Sequence, residues 1–177
     1  MGEKRLIKNL KKGKEEAYIE LVELYGNKLL RTLYLMTRDE KEAEDIVQET
    51  FIRVFKYIDS FKGDSSLYTW VYRISQNIAK DKLVSQTITI PYEDIEISSE
   101  NIEEILVDKI NREILKKELN ELNFIYKQVI ILFYYEDLSI KEISQILEEK
   151  EGTIKSRLSR GRNLLKKALR EGGSFNE

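Results

Sequence analysis

Apolar residues recur along most of this chain at helical rather than strand spacing. Leu6, Ile7 and Leu10 predict a short helix from Lys4 to Lys12, stopped near Gly13. Ala17, Tyr18, Leu21, Val22, Tyr25, Leu29, Leu33 and Met36 then share one stripe of a long helix, Glu15 to Met36. Asp39 is the expected cap of a third helix, Lys41 to Ile58. Its inward stripe is Ala43, Ile46, Val47, Thr50, Phe51, Val54 and Ile58. After Gly63, one of Asp64, Ser65 or Ser66 can cap a fourth helix, with Leu67, Val71, Ile74 and Ile78 on its buried face.

The pattern breaks from about Val84 to Asp108. Gln86 to Ile90 is β-branched and ends at Pro91, the single proline, which disfavours helix just before it. Glu93, Asp94, Glu96, Glu100, Glu103, Glu104 and Asp108 follow, with no basic residue before Lys109. Such a run is usually a solvated spacer, although its charge would also let it thread a basic channel made for nucleic acid. Helical periodicity returns from Ile110 to Leu122 and from Phe124 to Tyr135, where Val129, Ile130, Leu132, Phe133 and Tyr134 carry it. The expected fold is all-α, with two small helical domains, 1–84 and 110–172. An acidic linker, 85–109, joins them, and 173–177 is a tail.

The second domain ends in a recognisable arrangement. Leu138 to Leu147 reads as a short helix with Ser139 at its N-cap and Glu142 three residues on, a capping box; Ile140, Ile143 and Leu147 face inward. A charged turn, Glu148 to Glu151, leads into a basic helix. From Ile154 to Arg170 that helix has no acidic residue but carries Lys155, Arg157, Arg160, Arg162, Lys166, Lys167 and Arg170. Ile154, Leu158, Gly161, Leu165 and Leu169 fall on one side, and Ser156, Ser159, Arg160, Asn163 and Lys167 on the other. Helix, tight turn and basic second helix make a helix-turn-helix, whose second helix enters the major groove of duplex DNA. There Arg, Ser and Asn reach base edges while Lys neutralises phosphates.

Composition narrows the alternatives. A formal net charge of −2 does not announce a nucleic-acid binder; the charge is segregated along the chain instead. No cysteine and no histidine remove disulfides, thiolate zinc sites and the commonest general base. An enzyme would have to work with carboxylates and lysines alone, and no paired constellation stands out, so neither catalysis nor a cofactor or metal is expected. No apolar run approaches membrane-spanning length and the amino terminus lacks a signal-peptide core, so a cytoplasmic protein is expected.

Two other stretches carry candidate chemistry. On the polar side of the third helix lie Asp45, Gln48, Glu49, Ile52 and Lys56. Spacing alone makes Ile52 an ordinary exposed apolar residue. In the fourth helix Tyr68 and Tyr72 stand one turn apart off the apolar face, with Trp70 at a flank and Lys62, Arg73 and Lys80 nearby. Aromatics among cations suit stacking on unpaired bases and holding a single strand. Core packing explains Trp70 at least as well.

Together these segments resemble the extracytoplasmic-function (ECF) sigma factors, two-domain specificity subunits of bacterial RNA polymerase. Glu44-Asp45-Ile46-Val47-Gln48-Glu49-Thr50-Phe51 is similar to the family's core-binding helix. Phe61 through Asn77 resembles its promoter-melting segment, and Leu138–Ile143 with Glu151–Leu158 resembles its promoter-reading helix-turn-helix. The resemblance implies that Asp45, Gln48, Glu49 and Ile52 bind the polymerase clamp helices, which overturns the ordinary reading of Ile52. It implies −10 DNA contacts from Phe61, Lys62, Asp64, Ser65, Tyr68, Trp70, Tyr72, Arg73, Asn77 and Lys80. It implies −35 contacts from Thr153, Lys155, Ser156, Arg157, Ser159, Arg160 and Asn163. Core RNA polymerase, promoter DNA and an anti-sigma factor, often membrane-anchored, are the implied partners, and the linker would follow the RNA path. A free-standing helix-turn-helix regulator with a helical dimerisation domain is the alternative.

The chain departs from the family pattern at three places. Asn123 stands after Leu122 where proline is common, and Glu148 and Glu149 occupy a turn where glycine and an apolar residue are usual. A left-handed Glu148 would cost about 1 kcal/mol relative to glycine. After Asp81 only Lys82 represents an arginine cluster that many members carry.

Overall fold

The computed structural model describes residues 2–84 and 112–172, and the expected linker and tail lie outside them. Every regular element among the described residues is helical, as the periodicity requires. Helices α1 (Gly2–Lys11), α2 (Glu15–Thr37), α3 (Glu40–Tyr57) and α4 (Leu67–Val84) form an amino-terminal bundle, with a 3₁₀ turn at Ile58–Ser60. Helices α5 (Arg112–Glu121), α6 (Phe124–Ile130), α7 (Ile140–Leu147) and α8 (Glu151–Gly172) form a carboxy-terminal one.

Local chemistry sets the helix ends. The Asp39 carboxylate accepts from the Glu42 amide at 2.9 Å, capping α3. Arg38, in a left-handed conformation, closes α2 by donating its amide to the Tyr34 carbonyl. Of the three candidate caps for α4, Ser66 fills the role, its hydroxyl accepting from the Thr69 amide at 3.0 Å. A second cap comes from far away: the Glu3 carboxylate on α1 accepts from the Leu67 amide at 2.8 Å. Asn123, placed where proline is common in the family, caps α6 by accepting from the Ile125 amide.

In the first bundle the core comprises Leu21, Leu29 and Leu33 of α2, Ala43, Ile46 and Val54 of α3, and Leu67 and Val71 of α4. Val22, expected in the inward stripe, is exposed instead, because α3 and α4 cover only the narrower Leu21–Leu29–Leu33 face. In the second bundle α8 packs on α5, α6 and α7, burying Ile154, Leu158, Leu165 and Leu169. Gly161 permits this close approach. A Cβ there would lie 2.7 Å from Ile130 Cδ1 and 3.3 Å from Tyr126 Cβ. On α7, Ile143 and Ile146 are buried, while Ile140 and Leu147 are only partly so.

The helix expected to run unbroken from Phe124 to Tyr135 changes its hydrogen bonding at Ile131. Residues Ile131–Tyr135 form a π turn, closed by the Glu136 amide donating to the Ile131 carbonyl at 3.1 Å. Asp137 then turns left-handed, with φ of 54°. The two bundles meet here: α2 packs against the π turn and α6, and α4 packs against α6 and α7.

Candidate functional site

The helix-turn-helix expected from the capping box is present. Ser139 Oγ accepts from the Glu142 amide, and Glu142 Oε2 accepts from the Ser139 amide at 2.9 Å. The Ser139 hydroxyl bond holds the Glu142 carboxyl below the usual carboxylate range, so the box is charged and intact near neutral pH. Helix α7 ends at Glu148, whose φ of 55° and ψ of 37° are the left-handed values anticipated for a residue where glycine is usual. Its amide donates to the Ser144 carbonyl, so the turn keeps its geometry at a small conformational cost.

On α8 the outward residues are graded. Lys155 and Ser156 are exposed, whereas Thr153, Arg157, Ser159, Arg160 and Asn163 are partly buried. Arg157 Nη2 lies 2.9 Å from Glu149 Oε1, so the turn carboxylate holds this guanidinium against the start of the helix. All seven residues expected at the −35 element therefore occur in the first four turns of one helix, none of them fully buried.

On α3, Asp45 and Gln48 are exposed, and Glu49 pairs with Arg53 one turn away at 2.8 Å. That hydrogen bond holds the Glu49 carboxyl below its ordinary range. Asp45, Gln48, Glu49 and Ile52 line one groove with Arg53, Ile78, Asp81 and Lys82. Ile52 is 47% exposed, and Phe55, one turn further and not anticipated, is 62% exposed. The signal for Phe55 was available: it lies three residues after Ile52, outside the buried stripe.

The residues expected to take the −10 strand divide into two sets. Lys62, Asp64, Asn77 and Lys80 are exposed, and Ser65 is partly so. Trp70 is half-buried, its ring 5.3 Å from that of Phe61. Phe61 is buried among core side chains, and its carbonyl accepts from Lys11 Nζ at 2.7 Å. Tyr72 is 0% exposed. Tyr68 stacks on Tyr72 at 4.3 Å between centroids. Arg73 donates through Nε to the Gln145 carbonyl at 3.1 Å and pairs with Glu148 at 3.3 Å. The fourth helix thus has a free end at Asn77 and Lys80, and a face covered by the second bundle.

Glu136 organises that cover and was not anticipated. Its side chain is 0% exposed and receives four donors: the hydroxyls of Thr32, Tyr68 and Tyr72 and the ammonium of Lys28. Burial, reinforced by this carboxylate, pushes both tyrosine phenols well above their ordinary value of 10.0. The Gln128 amide donates to Gln76 Oε1 at 2.9 Å beside it. No sequence pattern flags a lone carboxylate after an aromatic run; only its neighbours reveal it. Among the described residues no cluster of metal-ligating side chains occurs, and no helix is long and apolar enough to cross a membrane.

Comparison with known proteins extends the likeness over both bundles. Residues 21–88 match the family model of sigma-70 region 2, and residues 112–165 match that of sigma-70 region 4. The chain is 34% identical over 182 residues to the ECF RNA polymerase sigma factor SigW of Bacillus subtilis, covering 95% of this chain and 97% of that one. It is 33% identical over 184 residues to the ECF RNA polymerase sigma-E factor of Haemophilus influenzae, covering 96% of each. Among solved structures, the sigma factor RpoE of Bartonella quintana, in complex with the anti-sigma factor NepR, superimposes with a TM-score of 0.65 at 25% identity. That match covers 86% of this chain and 96% of the other. CnrH, in complex with the cytosolic domain of CnrY, shares the fold with a TM-score of 0.70 at 22% identity, covering 97% and 99%. With both regions matched in order and relatives aligned along nearly the whole chain, the protein belongs to the ECF family of RNA polymerase sigma factors.

Proposed function

We propose that this sigma factor binds core RNA polymerase through the α3 groove, reads the −35 duplex with α8 and captures the opened −10 strand with the loop before α4 and the outer end of α4. One observation carries the reading: a single chain holds, in order, a groove between α3 and α4 where carboxylates and Gln48 surround Ile52, and a basic helix in a helix-turn-helix. Residues 1–84 serve the polymerase and the −10 element, 110–172 serve the −35 element, and 85–109 runs between them.

Each role follows from side-chain chemistry. Asp45, Gln48 and Glu49 offer acceptors around Ile52, a combination suited to a partner helix with cations flanking an apolar seam. Lys155 and Ser156 are exposed on α8, where they can meet a duplex groove, and Arg157 and Arg160 can read guanine edges bidentately. Asn77 and Lys80 supply an amide for a base and a cation for the backbone. Binding energy for unstacked bases offsets the few kcal/mol each costs to extrude, so opening needs no catalysis by this chain.

An anti-sigma partner is proposed by extension from RpoE, which is bound to the anti-sigma factor NepR. A membrane anchor on that partner would hold an otherwise cytoplasmic protein at the membrane. The free-standing regulator is not favoured, because the α3 groove has no role in it.

Run-off transcription with sigma-free core polymerase tests the proposal, using the DNA upstream of this protein's own coding sequence. A discrete start that depends on the protein is expected. Tight duplex binding without polymerase, and no transcript, would overturn it in favour of the regulator.

A further inference from the structure

The loop 61–66, which carries Lys62, Asp64 and Ser65, has no regular secondary structure, and Gly63 within it turns left-handed with φ of 83°. Both its ends are held by one helix. At the near end, Lys11 Nζ of α1 donates to the Phe61 carbonyl at 2.7 Å. At the far end, the Glu3 carboxylate of α1 accepts from the Leu67 amide at 2.8 Å. The family model of region 2 matches from residue 21, so α1 lies outside it. We propose that α1 is a brace for the strand-capturing loop, with Glu3 and Lys11 as positioning residues that fix the loop's two ends before the −10 strand arrives. This rests on the −10 role given to the loop above.

The anchors are of the stronger kind. In each, one partner is ionised, which makes the bond shorter and stronger than one between neutral groups. Helix α4 has no acidic residue in its own first turn, and the Glu3 carboxylate supplies the negative charge that a helix amino terminus favours. Positions 3 and 11 are separated by roughly 12 Å of helix rise, so a rigid element sets the distance between the loop's ends.

Helix α1 is itself seated. Leu6 and Leu10 are buried, and the Tyr18 hydroxyl of α2 donates to the Leu10 carbonyl at 3.0 Å. What α1 grips is main chain, a carbonyl at one end of the loop and an amide at the other. The side chains between are left outward, with Lys62 and Asp64 exposed and Ser65 partly so. Holding the backbone while leaving the side chains to solvent is what a recognition loop requires. Ordering it beforehand reduces the entropy lost when the strand binds. A helix serving only the core would need Leu6 and Leu10 but neither Glu3 nor Lys11, both of which are exposed.

Holoenzyme binding to two probes cut from the promoter found by run-off transcription tests the brace. One probe is the −35 duplex alone; the other is a fork that continues into a single-stranded −10 element. The wild type is expected to bind the fork more tightly than the duplex. Glu3→Ala removes the far anchor, and Lys11→Met removes the near one while keeping an apolar stem. Each should lower fork affinity about fivefold, the worth of one helix cap or charge-assisted hydrogen bond, and leave duplex affinity unchanged. Glu3→Gln keeps an oxygen acceptor and Lys11→Arg keeps a cationic donor, so both should retain most of the wild-type affinity. Arg5→Ala breaks the exposed Arg5–Glu20 ion pair on the same helix, 3.5 Å long, without touching the loop, and should behave as wild type. Circular dichroism and capture of core polymerase check that each variant is folded and assembled.

Unchanged fork affinity in both Glu3→Ala and Lys11→Met would overturn the brace. So would an equal loss in Arg5→Ala or an equal loss on the duplex probe, since either marks a general weakening of α1. A wild-type holoenzyme that binds the fork no better than the duplex would instead remove the −10 role from the loop, the reading on which the brace depends.

Discussion

Arg157 of α8 is held 2.9 Å from Glu149, the second residue of the turn before it. The pair is partly buried, so the guanidinium is pre-aimed rather than free to sweep through solvent. Pre-organising a donor reduces the ordering cost of its base contact. Arg157→Ala should therefore lose about 1–3 kcal/mol of discrimination between a cognate and a scrambled −35 sequence. Glu149→Ala should lose part of that, without changing affinity for non-cognate duplex. Competition binding with holoenzyme measures both, and equal discrimination in wild type and Arg157→Ala would remove Arg157 from the readout.

The groove on α3 makes a separate prediction. Asp45→Lys combined with Glu49→Lys reverses its charge at exposed positions, so the helical spectrum and melting temperature should stay near wild type. Capture of core polymerase should fall sharply. Phe55→Ser, which removes an exposed aromatic neighbouring the groove, should weaken capture less. Undiminished pull-down of core by the charge-reversed protein would mean that polymerase docks elsewhere.

Gly161 tests the packing of the second bundle. Any side chain there meets Ile130 Cδ1 and Tyr126 Cβ, so Gly161→Leu should destabilise the protein by about 1–3 kcal/mol through overpacking. Gly161→Ala combines a smaller clash with a gain in helix propensity of about 1 kcal/mol, and the two should nearly cancel. Denaturant unfolding distinguishes them; equal stability of the leucine variant would show that α6 and α8 lie further apart than described.

Alkaline pH addresses the tyrosine cluster. Burial raises the phenols of Tyr68 and Tyr72 above 10.0, so their contribution to stability is fully present below pH 10. It is lost as pH climbs from 10 toward the folded-state values, because the unfolded chain ionises first. Burial also raises Tyr18 and Tyr25. Ultraviolet titration should therefore find several of the ten tyrosines ionising late, with Tyr68 and Tyr72 last. Tyr68→Phe with Tyr72→Phe should remove that last phase. Titration of all ten together near pH 10 in a folded sample would contradict the cluster.

Helices, caps and the helix-turn-helix were legible in the sequence because each depends on residues three or four apart. The Asp39 and Ser139 caps, the buried stripes of α3 and α8 and the left-handed Glu148 all follow from such local spacing. The exposed α3 positions were equally legible, since a residue opposite a buried stripe faces outward whatever the partner helices do. What only the tertiary structure decided lies where distant segments meet. Glu3 caps a helix more than sixty residues away, at Leu67. Val22 loses its cover because neighbouring helices span less than its stripe. Tyr72, polar-tipped and off the apolar face of α4, is fully buried because Glu136 arrives from the other bundle to accept its hydroxyl. Periodicity reports which face of a helix is apolar, but a polar face can be buried too when another segment brings the matching hydrogen-bond partners, and that match is written in no single stretch of the chain.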